Sequence, residues 1–169
     1  MSAVTIDELT IPSSVDDRAS AEGGRVVADF VEMVQVRNAV GSAVFGNDAL
    51  SCTAAELLPN YLRQEFEPKT MLVARVGNRI VGRGVLEWSI AAGTTSSWVT
   101  VEVLPEFRRR GIGSALMAEV EGRALASGRP TLQAEVIYGD QKMALTLEPA
   151  WNDPGHYVCL LYTSPSPRD

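Results

Sequence analysis

The chain has 169 residues, of which 46% are hydrophobic, and it carries a formal net charge of -6. This length is typical of a single domain with a core of its own, and a mean hydropathy of +0.02 is typical of a protein that folds in water. An acidic chain lacks the basic stripe with which nucleic-acid-binding proteins displace counterions, so we expect no DNA or RNA partner.

Neither the first residues nor the cysteines indicate export, a membrane or a metal. The first fourteen residues have no basic and apolar regions of the kind found in signal peptides, and no apolar run is long enough to cross a bilayer. Cys52 and Cys159 have neither zinc-ligand spacing nor the pattern of a disulfide framework. We therefore expect a cytoplasmic protein with no membrane partner and no metal site.

One strand and two helices are predicted in the first part of the chain. Residues 4–11 are rich in β-forming side chains and predict a short strand. Apolar residues recur at helical spacing over residues 26–40, which predicts a helix that breaks at Gly41. Residues 53–56, Thr-Ala-Ala-Glu, have the sequence of a capping box and predict a second helix, which Pro59 should kink or shorten.

Three antiparallel strands are predicted next. Residues 71–76 and 80–86 are β-rich and flank Gly77-Asn78, a two-residue turn signal, so they predict a hairpin. Residues 98–104 alternate valine with tryptophan, threonine and glutamate, which predicts a third strand ending at Pro105.

A helix and a last strand complete the recognisable pattern. The period becomes helical over residues 110–128, and residues 131–137 are again β-rich. The order strand, helix, helix, three strands, helix, strand predicts an α/β (α+β) fold in which helices flank a mixed, mostly antiparallel sheet.

No periodic pattern continues beyond residue 137. Residues 159–169, CLLYTSPSPRD, resemble the translation of a sequencing-library adapter, so we assign the domain to residues 1–158 and expect 159–169 to be a non-native tail. A genuine disordered Ser/Pro tail is the alternative. If the tail is non-native, the closing helix and closing strands of the domain should be missing. Residues 132–137 would then lie on an unpaired sheet edge.

The segment between the third antiparallel strand and the following helix carries the clearest chemical signal. Residues 108–115, RRRGIGSA, lie at a predicted helix N-terminus, where unpaired N–H groups and a partial positive charge favour anions. The glycines at 111 and 113 let an anion approach the backbone. Arginines oppose the helix dipole at this end, so three in a row indicate an anionic ligand, although a solvated charged face is the alternative.

This segment resembles a known signature. V-x-P-x-x-R-R-x-G-I-G, from residue 103 to 113, is similar to the acyl-CoA signature R-x-x-G-x-G of the GNAT superfamily, and the predicted elements over residues 3–137 follow the order of that fold. The resemblance implies transfer of an acetyl group from acetyl-CoA, as cosubstrate, to an amine on a small molecule or a peptide. A non-catalytic acyl-CoA-binding or regulatory domain, or one half of a truncated tandem acetyltransferase, is the alternative.

The resemblance also implies which residues bind the donor. The pyrophosphate should lie on the helix N-terminus, and pantetheine should lie along the motif strand, where two strands splay apart and a bulge frees backbone amides. The implied cofactor-binding residues are Val101, Val103, Arg108, Arg109, Arg110, Gly111, Ile112, Gly113, Ser114 and Ala115.

Two residues are candidates for proton transfer. Glu102 is the only carboxylate on the motif strand and is the candidate base, with an exposed strand carboxylate as the alternative. Many relatives protonate the leaving thiolate with a tyrosine; Tyr138 is the candidate here, with a strand-end aromatic residue as the alternative. We expect the acceptor to bind near residues 45–50, where Asp48 is the only charged residue. A homodimer is compatible with this hypothesis, although no pattern indicates it.

Overall fold

The computed structural model describes residues 3–16, 20–91, 93–136 and 158–163; for residues 135, 136 and 158–163 the description is limited to the backbone. Within these residues the chain forms three α-helices and six strands. In chain order they are β1 (Val4–Glu8), α1 (Ala21–Phe45), α2 (Ala54–Leu62), β2 (Lys69–Val76), β3 (Arg79–Glu87), β4 (Ser96–Val103), α3 (Ile112–Ala126), β5 (Thr131–Val136) and β6 (Val158–Thr163).

The six strands form one sheet in sequential order. Only β4 and β5 run parallel, and every other neighbouring pair is antiparallel. A parallel pair needs a crossover connection, which α3 provides. The predicted mixed, mostly antiparallel sheet flanked by helices is therefore confirmed.

The helices cover opposite faces of this sheet. Arg83 of β3 contacts Met33 of α1 and Tyr61 of α2. Its neighbour Gly82 faces the other way, where Leu116 of α3 lies against it. Because successive strand residues point to opposite faces, α1 and α2 lie on one side and α3 on the other. The core on both sides is apolar, and its fully buried side chains include Phe30, Met33, Leu72, Ile80, Leu116 and Val120.

The first helix is longer than predicted. It continues through Gly41 to Phe45 and ends at Gly46, whose left-handed φ of 70° and bond to the Ser42 carbonyl make a C-cap. Glycine inside a helix costs about 1 kcal/mol relative to alanine. The apolar face of α1, buried on the sheet, outweighs that cost, so the predicted break at Gly41 is wrong.

One closing strand is present, contrary to expectation. The backbone of β6 pairs antiparallel with β5 along its whole length, from Thr131↔Thr163 to Val136↔Val158. An open sheet edge offers unpaired N–H and C=O groups, and β6 satisfies those of β5. Most of β6 falls within residues 159–169, whose assignment as a non-native tail stays a prediction, as does the domain boundary at 158. The closing helix would fall on residues 137–157, outside the described residues.

The predicted capping box is formed at the start of α2. The Thr53 amide donates to Glu56 Oε2 at 2.8 Å, and the Glu56 amide donates to Thr53 Oγ1 at 3.3 Å. Hydrogen bonds from the Thr53 amide and hydroxyl lower the pKa of Glu56 below its usual range. The stabilisation is therefore present above the ordinary pKa of a glutamate and is lost as the pH falls through the lowered value.

Replacing Thr53 with alanine should lower the free energy of unfolding by about 1 kcal/mol, because the side chain that caps α2 is removed. Urea denaturation at neutral pH measures the change. Alanine at the exposed loop residue Ser13 is the matched control and should leave the midpoint unchanged. Equal midpoints for the two variants would contradict a stabilising role for the cap.

Candidate functional site

The strands β4 and β5 separate halfway along their length. Their parallel pairing runs from Ser96↔Thr131 to Val99↔Ala134 and stops there, although β4 continues to Val103 and β5 to Val136. On its other edge, β5 is paired with β6 along its whole length. A wedge therefore opens between the second half of β4 and β5, as the family resemblance implied.

Two amides of β4 face this wedge. The Leu104 amide donates to the Val81 carbonyl of β3 at 2.9 Å. Because backbone groups point alternately to the two sides of an antiparallel strand, those of Val103 and Val101 point away from β3. The Val103 carbonyl accordingly accepts a hydrogen bond from Arg108 Nε at 3.0 Å. The open edge of β4 therefore presents amides of Val101 and Val103.

Strand separation, rather than a bulge, frees these amides. The pairing of β4 with β3 is in continuous register from Gly82↔Val103 to Glu87↔Trp98. The register shift in this part of the sheet lies between β2 and β3, at Ala74 and Arg75. The bulge implied for the motif strand is therefore not found in β4.

The start of α3 leaves backbone donors without helical partners. The helix begins after Gly111, which has a left-handed φ of 80° and gives no side-chain cap. The Ala115 amide makes the first helical bond, to the Gly111 carbonyl at 3.0 Å. The amides of Ile112, Gly113 and Ser114 precede that bond, so they remain available to an anion.

The open edge of β4 and the start of α3 meet at one cavity of about 420 Å³. Its lining residues are Val103, Arg108, Arg109, Gly111, Gly113 and Ser114. Arg109 has a φ of 61°, a left-handed conformation that is uncommon for a residue with a side chain. Such strained positions concentrate at binding sites, and the cavity thus combines free amides, two arginines and unusual backbone geometry.

The structure separates the three consecutive arginines. Arg108 and Arg109 line the cavity, whereas Arg110 Nη2 donates to the Glu106 carbonyl at 2.9 Å. The Arg110 guanidinium also lies 5.1 Å from the centre of the Phe107 ring. Arg110 therefore has partners of its own outside the cavity lining.

Two further predicted residues contribute differently from the rest. Ile112 is only 2% exposed and belongs to the core, so it can offer the cavity its backbone alone. The Ala115 amide is used inside α3, and its side chain is not part of the cavity lining.

Glu102 is paired with a buried arginine. It lies opposite Arg83 in the β3–β4 register, and Arg83 Nε donates to Glu102 Oε2. Arg83 is 5% exposed, and its Nη1 donates to the Tyr61 hydroxyl at 3.2 Å. Burial opposes the charge of Arg83, but the negative charge of Glu102 and the contact with Tyr61 raise the pKa of the guanidinium above its ordinary value.

Sequence reasoning did not identify Arg83 or Tyr61 as part of the site. A signal was available, because Arg83 is the only charged residue within Ile80-Val-Gly-Arg-Gly-Val-Leu86, a stretch that otherwise reads as buried strand. A charged side chain in such a stretch needs a partner. The partner could not be chosen from the sequence, since it depends on the register between β3 and β4.

The remaining predicted positions are only partly described. Asp48 lies in the connection between α1 and α2, where its carboxylate accepts a hydrogen bond from Ser42. Tyr138 lies outside the described residues. Among the residues that the structure describes, no group of three His, Cys, Asp or Glu side chains could hold a metal ion. None of the described helices combines the length and apolarity needed to cross a membrane.

Several solved structures share the fold of this chain. The GNAT domain of S. lividans PAT has 16% identity and a TM-score of 0.63, covering 95% of this chain and 90% of that one. The PaiA N-acetyltransferase of Thermoplasma acidophilum, solved with coenzyme A, has 12% identity and a TM-score of 0.59, covering 96% and 99%.

A tandem GNAT protein from the clavulanic acid biosynthesis pathway has 22% identity and a TM-score of 0.59 over 89% of this chain. The chain spans only 40% of the length of that protein. No curated protein matches the chain. Residues 45–148, more than half of the chain, match the model of the acetyltransferase (GNAT) family. Because this match covers more than half of the sequence, the chain belongs to the GNAT family of acetyltransferases.

Proposed function

We propose that the chain transfers an acetyl group from acetyl-CoA to an amine on a small molecule or a peptide. The observation that carries the proposal is the meeting of two sets of unpaired amides at one cavity. Val103 of β4 and Gly113 and Ser114 of α3 line the cavity. The unpaired amides of Val101 and Ile112 belong to the same strand edge and the same helix start, although these two residues are not part of the lining. Family membership supports acyl transfer in general.

The residues at the cavity fit the two polar parts of the donor. A pyrophosphate needs several N–H donors and positive charge, which the start of α3 supplies together with Arg108 and Arg109. A pantetheine arm is an extended chain of amides, and the open edge of β4 can pair with it as with an added strand. Gly113 lines the cavity without a side chain, which lets an anion approach its amide closely.

The chemistry at the wedge needs an oxyanion donor and a base. When bound, acetyl-CoA supplies a thioester whose carbonyl carbon a neutral amine can attack. We assign the Val101 amide to the oxygen of that carbonyl, because an N–H fixed in a strand stabilises developing negative charge without reorganising. We assign Glu102 to the proton of the amine, received directly or through water. Tyr138 stays the predicted donor of a proton to the departing thiolate.

Two measurements test the proposal. Calorimetric titration should show acetyl-CoA binding, and a panel of small-molecule and peptide amines should include members that release free thiol from acetyl-CoA. Reactions without amine correct for hydrolysis. Failure of the protein to bind acetyl-CoA in calorimetry contradicts the assignment of the cavity.

The likeness to a tandem GNAT protein supports a second candidate function. Because the chain spans 40% of that protein, it could correspond to one half of such an enzyme, or to a non-catalytic acyl-CoA-binding or regulatory domain. Affinity for acetyl-CoA without thiol release from any amine would favour this second function over the first.

A further inference from the structure

We infer that Arg83 is a positioning residue for the transfer reaction, which orients the Glu102 carboxylate beside the open backbone of β4. The inference rests on the proposed function and extends it to a residue outside the donor cavity. It concerns the opposite face of β4 from Val103, the face covered by α1 and α2.

The pair leaves one oxygen of Glu102 available. Arg83 Nε engages Glu102 Oε2, and Glu102 Oε1 has no hydrogen-bond partner among the described residues. The Glu102 side chain is 22% exposed, so solvent or a bound amine can reach it. Glu102 follows Val101 directly on β4, so the carboxylate belongs to the residue next to the one whose amide faces the wedge.

Two helices fix the guanidinium itself. Arg83 Nη1 lies 3.2 Å from the Tyr61 hydroxyl of α2 and 3.9 Å from Met33 Sδ of α1. Tyr61 is buried and packs edge-to-face on Phe30, with ring centres 5.9 Å apart. Among the described residues, the titratable groups that face Arg83 are therefore Glu102 from β4 and Tyr61 from α2, while α1 contributes the Met33 thioether. A guanidinium held in this way fixes the carboxylate in one orientation.

A purely structural role explains the pair poorly. Arg75 of β2 provides the comparison, because its two Nη atoms donate to Asp29 of α1 at 3.2 and 2.9 Å and thereby tie a helix to the sheet. Arg83 and Glu102 instead join two strands that are already paired in register. Burying charges between such strands costs desolvation. Arg83 reaches α2 through the Tyr61 hydroxyl, but its contact with Glu102 adds no connection between elements. A role in the proposed reaction explains this desolvation cost, because the reaction needs a carboxylate held beside the wedge.

The test compares Arg83→Met, Arg83→Lys, Glu102→Gln and the double variant Arg83→Met/Glu102→Gln, using thiol release with the best amine of the panel. Glu102→Gln should lower kcat by roughly 100-fold, the usual size of a general-base effect, and Arg83→Met by at least about tenfold. Arg83→Lys should recover part of the loss because it keeps the charge. The double variant should be no slower than Glu102→Gln, since both changes remove the same function.

Donor binding and stability are measured on the same proteins. Acetyl-CoA affinity should stay within about twofold of wild type, because neither residue lines the donor cavity. Arg75→Met is the matched control: it breaks an ion pair on the same face of the sheet and should lower the Tm while leaving kcat unchanged. Should Arg83→Met not fold, Arg83→Met/Glu102→Leu replaces the whole pair by apolar side chains and should fold with the low kcat of Glu102→Gln.

The outcomes separate the inference from the function on which it rests. A wild-type kcat in Arg83→Met overturns the inference. It is also overturned if Arg75→Met loses as much kcat as Arg83→Met for the same decrease in Tm. A wild-type protein that does not bind acetyl-CoA overturns the cavity assignment instead. Binding without turnover in the wild type overturns the transfer reaction, and the role of Arg83 with it.

Discussion

Replacing Gly111 with leucine is expected to weaken acetyl-CoA binding by at least about 100-fold, since it should remove two or more hydrogen bonds to a charged group worth about 1.5–3 kcal/mol each. Gly111 has a φ of 80°, which leucine adopts only under strain. Relief of that strain would turn the first amides of α3 away from the cavity, and the new side chain would stand in its lining. Isothermal calorimetry measures the loss.

The other end of the same helix offers a matched control for Gly111. Gly128 has a φ of 74°, and, as at Gly111, a Cβ there would meet no heavy atom within 4 Å. Gly128→Leu therefore introduces the same backbone strain after the end of α3, away from the donor cavity. Its acetyl-CoA affinity should equal that of the wild type. If both leucine variants keep wild-type affinity, the pyrophosphate does not lie at the start of α3.

Replacing Gly82 with alanine should lower the free energy of unfolding by about 1–3 kcal/mol, the usual cost of overpacking a core. A Cβ at this position would lie 3.0 Å from the Glu102 carbonyl oxygen, 3.2 Å from Leu116 Cδ1 and 3.3 Å from Val103 Cγ2. The first of these atoms belongs to the backbone of β4 and cannot move without disturbing the strand. Urea denaturation should show an earlier midpoint.

The same substitution at Gly122 should have the opposite sign. Gly122 lies inside α3, where a Cβ would meet nothing within 4 Å, so alanine gains helix propensity without a clash. We expect Gly122→Ala to stabilise the protein by about 0.5–1 kcal/mol. An unchanged Gly82→Ala would contradict the close packing of α3 on β3 and β4, and a destabilised Gly122→Ala would contradict the open space at this position of α3.

Features with a local cause could be predicted from the sequence. The turn at Gly77-Asn78, the capping box at Thr53 and the start of α3 each depend on a few consecutive residues, and the structure has all three. The signature with Gly111 and Gly113 at the start of α3 likewise depends on the backbone conformation of a few consecutive residues. This is why pattern alone indicated the fold class and the segment that lines the proposed donor cavity.

Features that depend on distant residues could not be predicted. Gly41 looked like a helix end because propensity is local, whereas burial of α1 on the sheet is not. The ion pair of Glu102, the candidate base, could not be predicted because its partner Arg83 is nineteen positions away and is determined by strand register. Arg110 appeared equivalent to its two neighbours. In the structure it instead donates to the Glu106 carbonyl and lies over the Phe107 ring, outside the cavity lining.

The wedge divides the sheet into a four-stranded and a two-stranded part, joined by α3 and by the backbone pairs from Ser96 to Val99. A donor whose arm pairs with β4 would stand between these two parts as an inserted strand. The bound donor would then fill the gap between β4 and β5 and hydrogen-bond to backbone groups that the chain leaves unpaired. The stiffness of this end of the sheet would accordingly rise and fall with each cycle of donor entry and product departure.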